Sequence, residues 1–325
     1  PSGGAYLQRA SVLSNIPRAD ANGFRKLSRG RRTMNRTIGI VGLGLLGGAL
    51  AERLCERGWR VVGYDVDPQR RAVAEGRGVV VVDAAATAAA AGESLLLSLP
   101  DGDIAGAVLR ELTPRLRAGQ LIVDTTTAAP EQMIAHAASV RAAGGRFVEA
   151  EIAGSSAQAR RGEVLVFAAG EPADVAACRP LLECFAAEVC QVGPSGSAAK
   201  LKLVHNLALG LHRAVLAEAL VFAEALGLDL AQTLDILGRS PAASSVMATK
   251  GPKMTARDYA PQATVRQHLK DVRLMLSAAR RAEVCVPLSS VHAELLERAA
   301  ALGFADSDNS AVIEAWRNPR PADRS

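Results

Sequence analysis

At 325 residues, with 49% apolar and 22% charged residues, the chain has the composition of a globular protein long enough for two domains and a sizeable core. No uninterrupted apolar stretch reaches the roughly 18 residues that a membrane span needs, since the longest candidate, Val79 to Pro100, is broken by Asp83, Gly92 and Glu93. The formal charge of +5 does not describe a nucleic-acid groove, because seven cations against the single acid Asp20 fall within residues 1–33 and the rest is close to neutral.

Residues 1–33 are expected to be a basic, disordered extension, with Met34 directly before the first strand-like run. Upstream translated sequence and an Arg- and Ser-containing organelle leader both fit it; the lack of an apolar h-region argues against a secretory signal. From Thr37 onward, β-branched runs alternate with Ala-rich helical stretches. Ile38 to Val41, Arg60 to Tyr64, Val79 to Val82, Leu95 to Leu99, Leu121 to Val123, Arg146 to Val148 and Val164 to Ala168 read as strands. Most are continuous apolar runs, as in a parallel sheet covered on both faces. The fold class is therefore α/β, with a Rossmann-type parallel-sheet domain over 34–196.

Beyond Gly193-Pro194-Ser195-Gly196 the texture turns helical. Ser197 to Leu226 predicts one long helix with Gly227 as its C-cap, and further helices follow, punctuated by prolines. An all-helical substrate and dimerisation domain is expected over 197–318, with a tail over 319–325. Five cysteines without a C-x-x-C pair fit a reducing, cytoplasmic setting, and no metal site is expected from them.

The turn Gly42-Leu43-Gly44-Leu45-Leu46-Gly47 lies between a strand and a helix in the G-x-G-x-x-G pattern of dinucleotide sites. Its first glycine allows the tight turn, the second lets backbone approach the pyrophosphate, and the third lets helix pack on strand. Asp65 ends the second strand, where a carboxylate accepts bonds from ribose hydroxyls and repels a 2′-phosphate. NAD is thus favoured, with NADP left open by the nearby Arg70 and Arg71.

Several stretches resemble the β-hydroxyacid dehydrogenases, the family of 3-hydroxyisobutyrate dehydrogenase and tartronate semialdehyde reductase, from Thr37 to about Trp316. The glycine turn is similar to G-L-G-x-M-G, and Leu99-Pro100 to a Leu-Pro that borders the cofactor. Asp124-Thr125-Thr126-Thr127 with Pro130 resembles D-x-S-T-x-x-P, which implies Thr127 near the cofactor and Thr126 near the substrate. Gly193 to Asn206 resembles G-x-x-G-x-G-x-x-x-K-x-x-x-N, with Ala198 for a glycine, Lys202 at the catalytic lysine and Asn206 at the asparagine. Lys270-Asp271 matches a K-D pair, which implies Lys270 beside the nicotinamide, and Asp308 to Ile313 resembles D-x-S-A-x-I.

Lys202 and Asn206, four residues apart, share one helix face on which both can reach one bound oxygen. A lysine donating to the alkoxide formed on carbonyl reduction stabilises that charge; in alcohol oxidation neutral Lys202 would be the base. Taken singly, Lys202 would be a solvated surface charge; the register with Asn206 favours catalysis. His205, His212 and His268 read as packed or solvated. The resemblance weakens at Glu149-Ala150-Glu151-Ile152-Ala153-Gly154-Ser155, where the family reads D-A-P-V-S-G-G and holds the substrate carboxylate on Ser-Gly-Gly N–H groups. Ala153, Gly154 and Ser155 are the corresponding substrate candidates; Glu151 puts a charge where the family has proline, and Ala263 stands where it usually has Phe.

The expected activity is hydride transfer between NAD(H) and a small 3-hydroxyacid or semialdehyde, carboxylate-bearing by default, in a homo-oligomer of two or four copies without nucleic-acid or membrane partners. The alternatives are an imine reductase-like enzyme and a non-catalytic dinucleotide-binding module. Retention of Lys202 argues against both.

Overall fold

The computed structural model describes residues 36–318; the basic extension at 1–33 and the tail at 319–325 lie outside the described residues. Strands and helices alternate through β1 (Thr37–Val41), α1 (Leu45–Glu56), β2 (Arg60–Tyr64), α2 (Pro68–Glu75), β3 (Val80–Val81), α3 (Ala85–Ala90), β4 (Ser94–Leu97) and α4 (Gly102–Leu112). They continue through β5 (Leu121–Asp124), α5 (Pro130–Ala142), β6 (Arg146–Ala153), α6 (Ser156–Arg161), β7 (Val164–Gly170), α7 (Pro172–Leu182) and β8 (Ala186–Gly193). The helices α8 (Ser197–Ala225), α9 (Leu230–Gly238), α10 (Ser245–Ala256), α11 (Val265–Arg281), α12 (Pro287–Ala299) and α13 (Ile313–Arg317) follow.

The eight strands form one sheet in the order β3-β2-β1-β4-β5-β6-β7-β8. Pairing is parallel throughout except at β6 and β7, which run antiparallel with Glu151 opposite Phe167. The two strands adjoining β1 are reached by opposite turns of the chain, which opens a crevice at the carboxyl ends of β1 and β4 where α/β sheets bind ligands.

Side chains sort between the two faces with the strand period of two. Ile38, Ile40, Leu96, Val123, Val148 and Val166 pack on one side with α1, α6 and α7. Val41, Leu95, Leu97, Ile122 and Phe147 pack on the other with α3, α4 and α5. The alternation places Glu149, Glu151 and Ala153 on the Phe147 face, and that face of β6 is the one α8 covers. A separate core of Leu203, Leu216, Leu220, Met254, Val272 and Leu296 joins the helices beyond residue 197.

Several expected limits shift. Strand β6 runs on to Ala153, because Glu149 and Glu151 are fully buried strand residues instead of loop residues. Strand β4 ends at Leu97, so Leu99 lies beyond it, and α1 begins at Leu45, inside the glycine turn. The residue Gly227, in the left-handed region at φ 74°, follows the C-cap Leu226. By length and composition α8 is apolar enough to cross a membrane, yet it buries Lys202, Asn206 and Arg213 and packs on the sheet and on α10, α11 and α12. Its apolarity serves a protein core.

Candidate active site

The crevice begins at the glycine turn. Gly42 has φ 97° and would place a Cβ 2.2 Å from the Ser98 carbonyl oxygen; a Cβ on Gly47 would lie 2.0 Å from the Gly42 oxygen. Neither position admits a side chain. At Gly44 the reason differs: a Cβ there meets only the Arg70 Nη1 at 3.5 Å, so the space over Gly44 is open. Gly44 also supplies no side-chain cap to α1, leaving the first-turn N–H groups and the positive helix end for an anionic partner. This cradle fits the pyrophosphate of a dinucleotide.

The Asp65 side chain is buried at the end of β2. It accepts hydrogen bonds from the Leu43 N–H at 2.8 Å and the Asp67 N–H at 2.9 Å, so it fixes the turn as well as facing the crevice. Arg70 Nη1 lies 3.7 Å from its carboxylate, and the Arg71 guanidinium donates to its backbone oxygen at 2.7 Å.

Around the next strand ends, five of the expected residues converge. Leu99 N–H donates to the Thr126 hydroxyl at 3.1 Å. The Lys270 ammonium, on α11, donates to the carbonyls of Pro100 and Thr127, each at 3.0 Å, and so ties the helical half to the rim of the crevice. It also pairs with Asp271 at 3.2 Å.

The first turns of α8 are locked to β6. The Glu149 carboxyl accepts the Gly196 N–H and, at 3.2 Å, the Ala199 N–H, which satisfies helix N–H groups that no side chain of α8 caps. One turn on, the buried Lys202 ammonium donates to the Ile152 carbonyl. Asn206 donates to Asp271 at 3.1 Å and its carbonyl oxygen meets His205 Nδ1 at 3.1 Å; His205 packs edge-on against Phe167. Burial lowers the pKa of Lys202 below the ordinary lysine value, against the opposing pull of Glu151 and Asp271.

Glu151 completes this group. It is fully buried and accepts the Thr127 hydroxyl at 2.9 Å on Oε2, while its Oε1 has no hydrogen-bond partner. Burial raises its pKa to about 8, and raises Asp124 to about 7. A buried polar atom left unpartnered costs about 1–3 kcal/mol.

The substrate segment is less open than expected. Ala153 packs with Phe167, Ala169 and Ala198, and Gly154, at φ 153°, would place a Cβ 2.7 Å from Val164. Ser155 is the N-cap of α6. Its own N–H is held by Gln158 Oε1 at 2.9 Å, so that donor is already engaged. Glu149 and Asp271 enter the site from outside the expected set; the signal that could have found Glu149 is an acid at an inward position of a strand.

Residues 37–193 match the family description "NAD binding domain of 6-phosphogluconate dehydrogenase", and residues 196–316 match "NAD-binding of NADP-dependent 3-hydroxyisobutyrate dehydrogenase". An uncharacterized oxidoreductase of Synechocystis sp. is 30% identical, over 86% of this chain and 98% of its own length. A 2-(hydroxymethyl)glutarate dehydrogenase of Eubacterium barkeri is 28% identical, over 86% and 94%. Among solved structures, a Mycobacterium tuberculosis 3-hydroxyisobutyrate dehydrogenase with L-serine superposes with a TM-score of 0.78 at 25% identity, over 88% of this chain and 100% of that one.

Proposed function

The chain belongs to the β-hydroxyacid dehydrogenase family and is an NAD(P)-binding oxidoreductase, and on that premise we propose that it interconverts a small 3-hydroxyacid and its semialdehyde. The observation that carries the reading is the buried Lys202 ammonium, which α8 brings to the Ile152 carbonyl of β6 and within electrostatic reach of Glu151 and of Asp271 and Lys270 on α11.

The nicotinamide supplies hydride to the carbonyl carbon, or accepts it from the alcohol. Gly42 to Gly47, together with Leu99, Pro100, Thr127 and Lys270, would hold the cofactor, and Asp65 would favour NAD by repelling a 2′-phosphate. Lys202 donates a proton to the carbonyl oxygen in reduction and takes it back in oxidation. Asn206, fixed by Asp271, orients the same oxygen. Thr126, Ala153, Gly154 and Ser155 border the substrate. Copies associate through the outer face of α8, where Val204, Val215 and Phe222 are each more than 60% exposed.

Purified protein should oxidise NADH, in preference to NADPH, with a panel of small semialdehydes. Lys202→Ala should lower kcat by about 10²–10⁴-fold with little change in cofactor affinity. Turnover within about twofold of the parent would remove the lysine from the chemistry.

A further inference from the structure

Two buried glutamates sit two residues apart on the same face of β6, and they differ in what they do. Glu149 has a structural employment, since its two oxygens hold the start of α8. Glu151 has none of that kind. One oxygen takes the Thr127 hydroxyl at 2.9 Å and the other is buried without a partner. The ammonium of Lys202 is bonded to the carbonyl of Ile152, the neighbouring residue, and not to the Glu151 carboxyl. A buried ammonium held at the Ile152 carbonyl and a buried carboxyl at Glu151, one of its oxygens without a partner, therefore lie one residue apart along β6, and Thr127 links that carboxyl to the Lys270 strap.

We propose that Glu151 is the proton-holding partner of Lys202, returning to the lysine the proton that the lysine gives to the substrate oxygen. The inference rests on the acid–base reading of Lys202. In reduction, the carbonyl carbon receives hydride from NAD(P)H and its oxygen receives a proton from Lys202 Nζ, giving the alcohol and NAD(P)+. The carboxylic proton of Glu151 then passes to the neutral amine, leaving carboxylate beside ammonium, and a proton from solvent restores the acid. Oxidation runs these transfers in reverse.

The surroundings suit a carboxyl that stays protonated near neutrality. Asp124 on β5 and Asp271 on α11 face it and oppose a further negative charge, Lys202 on α8 favours one, and Thr127 donates to it. Lys270 acts on the lysine in turn. Burial outweighs the favourable contacts and holds Glu151 near 8.

The test compares kcat–pH profiles of the parent, Glu151→Gln and Glu151→Asp. Gln keeps the size and the Thr127 bond but cannot hold a proton. Its kcat should fall about tenfold or more, with the NADH KM within twofold. Its basic limb should move down by about one unit, since Lys202 loses the carboxylate that Glu151 becomes above about pH 8. Asp should restore part of the rate and the second ionisation. A Gln profile superimposable on that of the parent overturns the proposal. Infrared difference titration gives a second readout, independent of turnover. The component of the protonated-carboxyl band that is lost in Glu151→Gln should titrate at a different pH in Lys202→Met; a component indifferent to Lys202→Met overturns the pairing. If Lys202→Ala is inactive while the Gln profile is unchanged, the lysine reading stands and this one falls. If Lys202→Ala stays active, both fall.

Discussion

Gly44→Ala should separate cofactor binding from folding. The backbone at Gly44, φ −66° and ψ −161°, suits any residue, and the new methyl would meet only the tip of the exposed Arg70 side chain at 3.5 Å. Folding stability should change by less than about 0.5 kcal/mol, the usual range for a substitution that touches nothing. The methyl instead fills the cradle over α1. It should cost one or more charge-assisted bonds, each worth about 1.5–3 kcal/mol, and so weaken NADH binding by about 10- to 100-fold. Gly47→Ala is the contrast, because its methyl meets the Gly42 oxygen at 2.0 Å and must push the helix from the turn. Overpacking of that kind costs about 1–3 kcal/mol and should lower the Tm of the apo protein by several degrees. Fluorescence titration with NADH and calorimetry of the apo forms measure both effects. Binding by Gly44→Ala within threefold of the parent, or a Tm loss equal to that of Gly47→Ala, would refute the cradle.

Asp308→Asn should destabilise by about 3–5 kcal/mol in urea unfolding, because it strands the buried Lys250, which bonds both Asp308 oxygens at 2.9 Å; a loss under about 1 kcal/mol would contradict the pair's importance. Burial beside Arg213 depresses His292 to about 4 and His268 well below its ordinary value. The unfolded chain therefore takes up the proton first. The stability this neutral imidazole contributes is complete above the unfolded value near 6.5 and declines as pH falls toward 4, by about 2–3 kcal/mol for His292. The raised carboxyls of Asp124 and Glu151 act in the opposite sense over pH 4 to 8. The histidine is isolated as the difference in slope between the parent and His292→Gln, and equal slopes would show it to be silent.

The glycine turn and Asp65 were legible because their spacing carries their meaning, and most strands were legible as unbroken apolar runs. Strand β8 was not. Its sequence from Ala186 to Gly193 mixes Glu188 and Gln191 with apolar residues, and of its eight residues only Ala186 and Val189 are buried. The antiparallel entry of β7 leaves no local mark either, since an apolar run looks the same in both directions. Glu151 was visible as a charge in place of proline. Its meaning was not, because Thr127 and Lys202 lie far from it in sequence and meet it only through the pairing of β6 with its neighbours and α8. Ser155 shows the converse: its place beside Gly154 was legible, but not that it caps a short helix with Gln158.

The bonds from Glu149 to Gly196 and Ala199, and from Lys202 to Ile152, bear on how the chain can be cut and recombined. A chimera joined at residues 196 and 197 would import a foreign lysine while leaving its anchor and its carbonyl ligand behind. The workable seam lies further along α8, past Asn206, so that the opening turns of the helix are inherited together with the sheet that holds them.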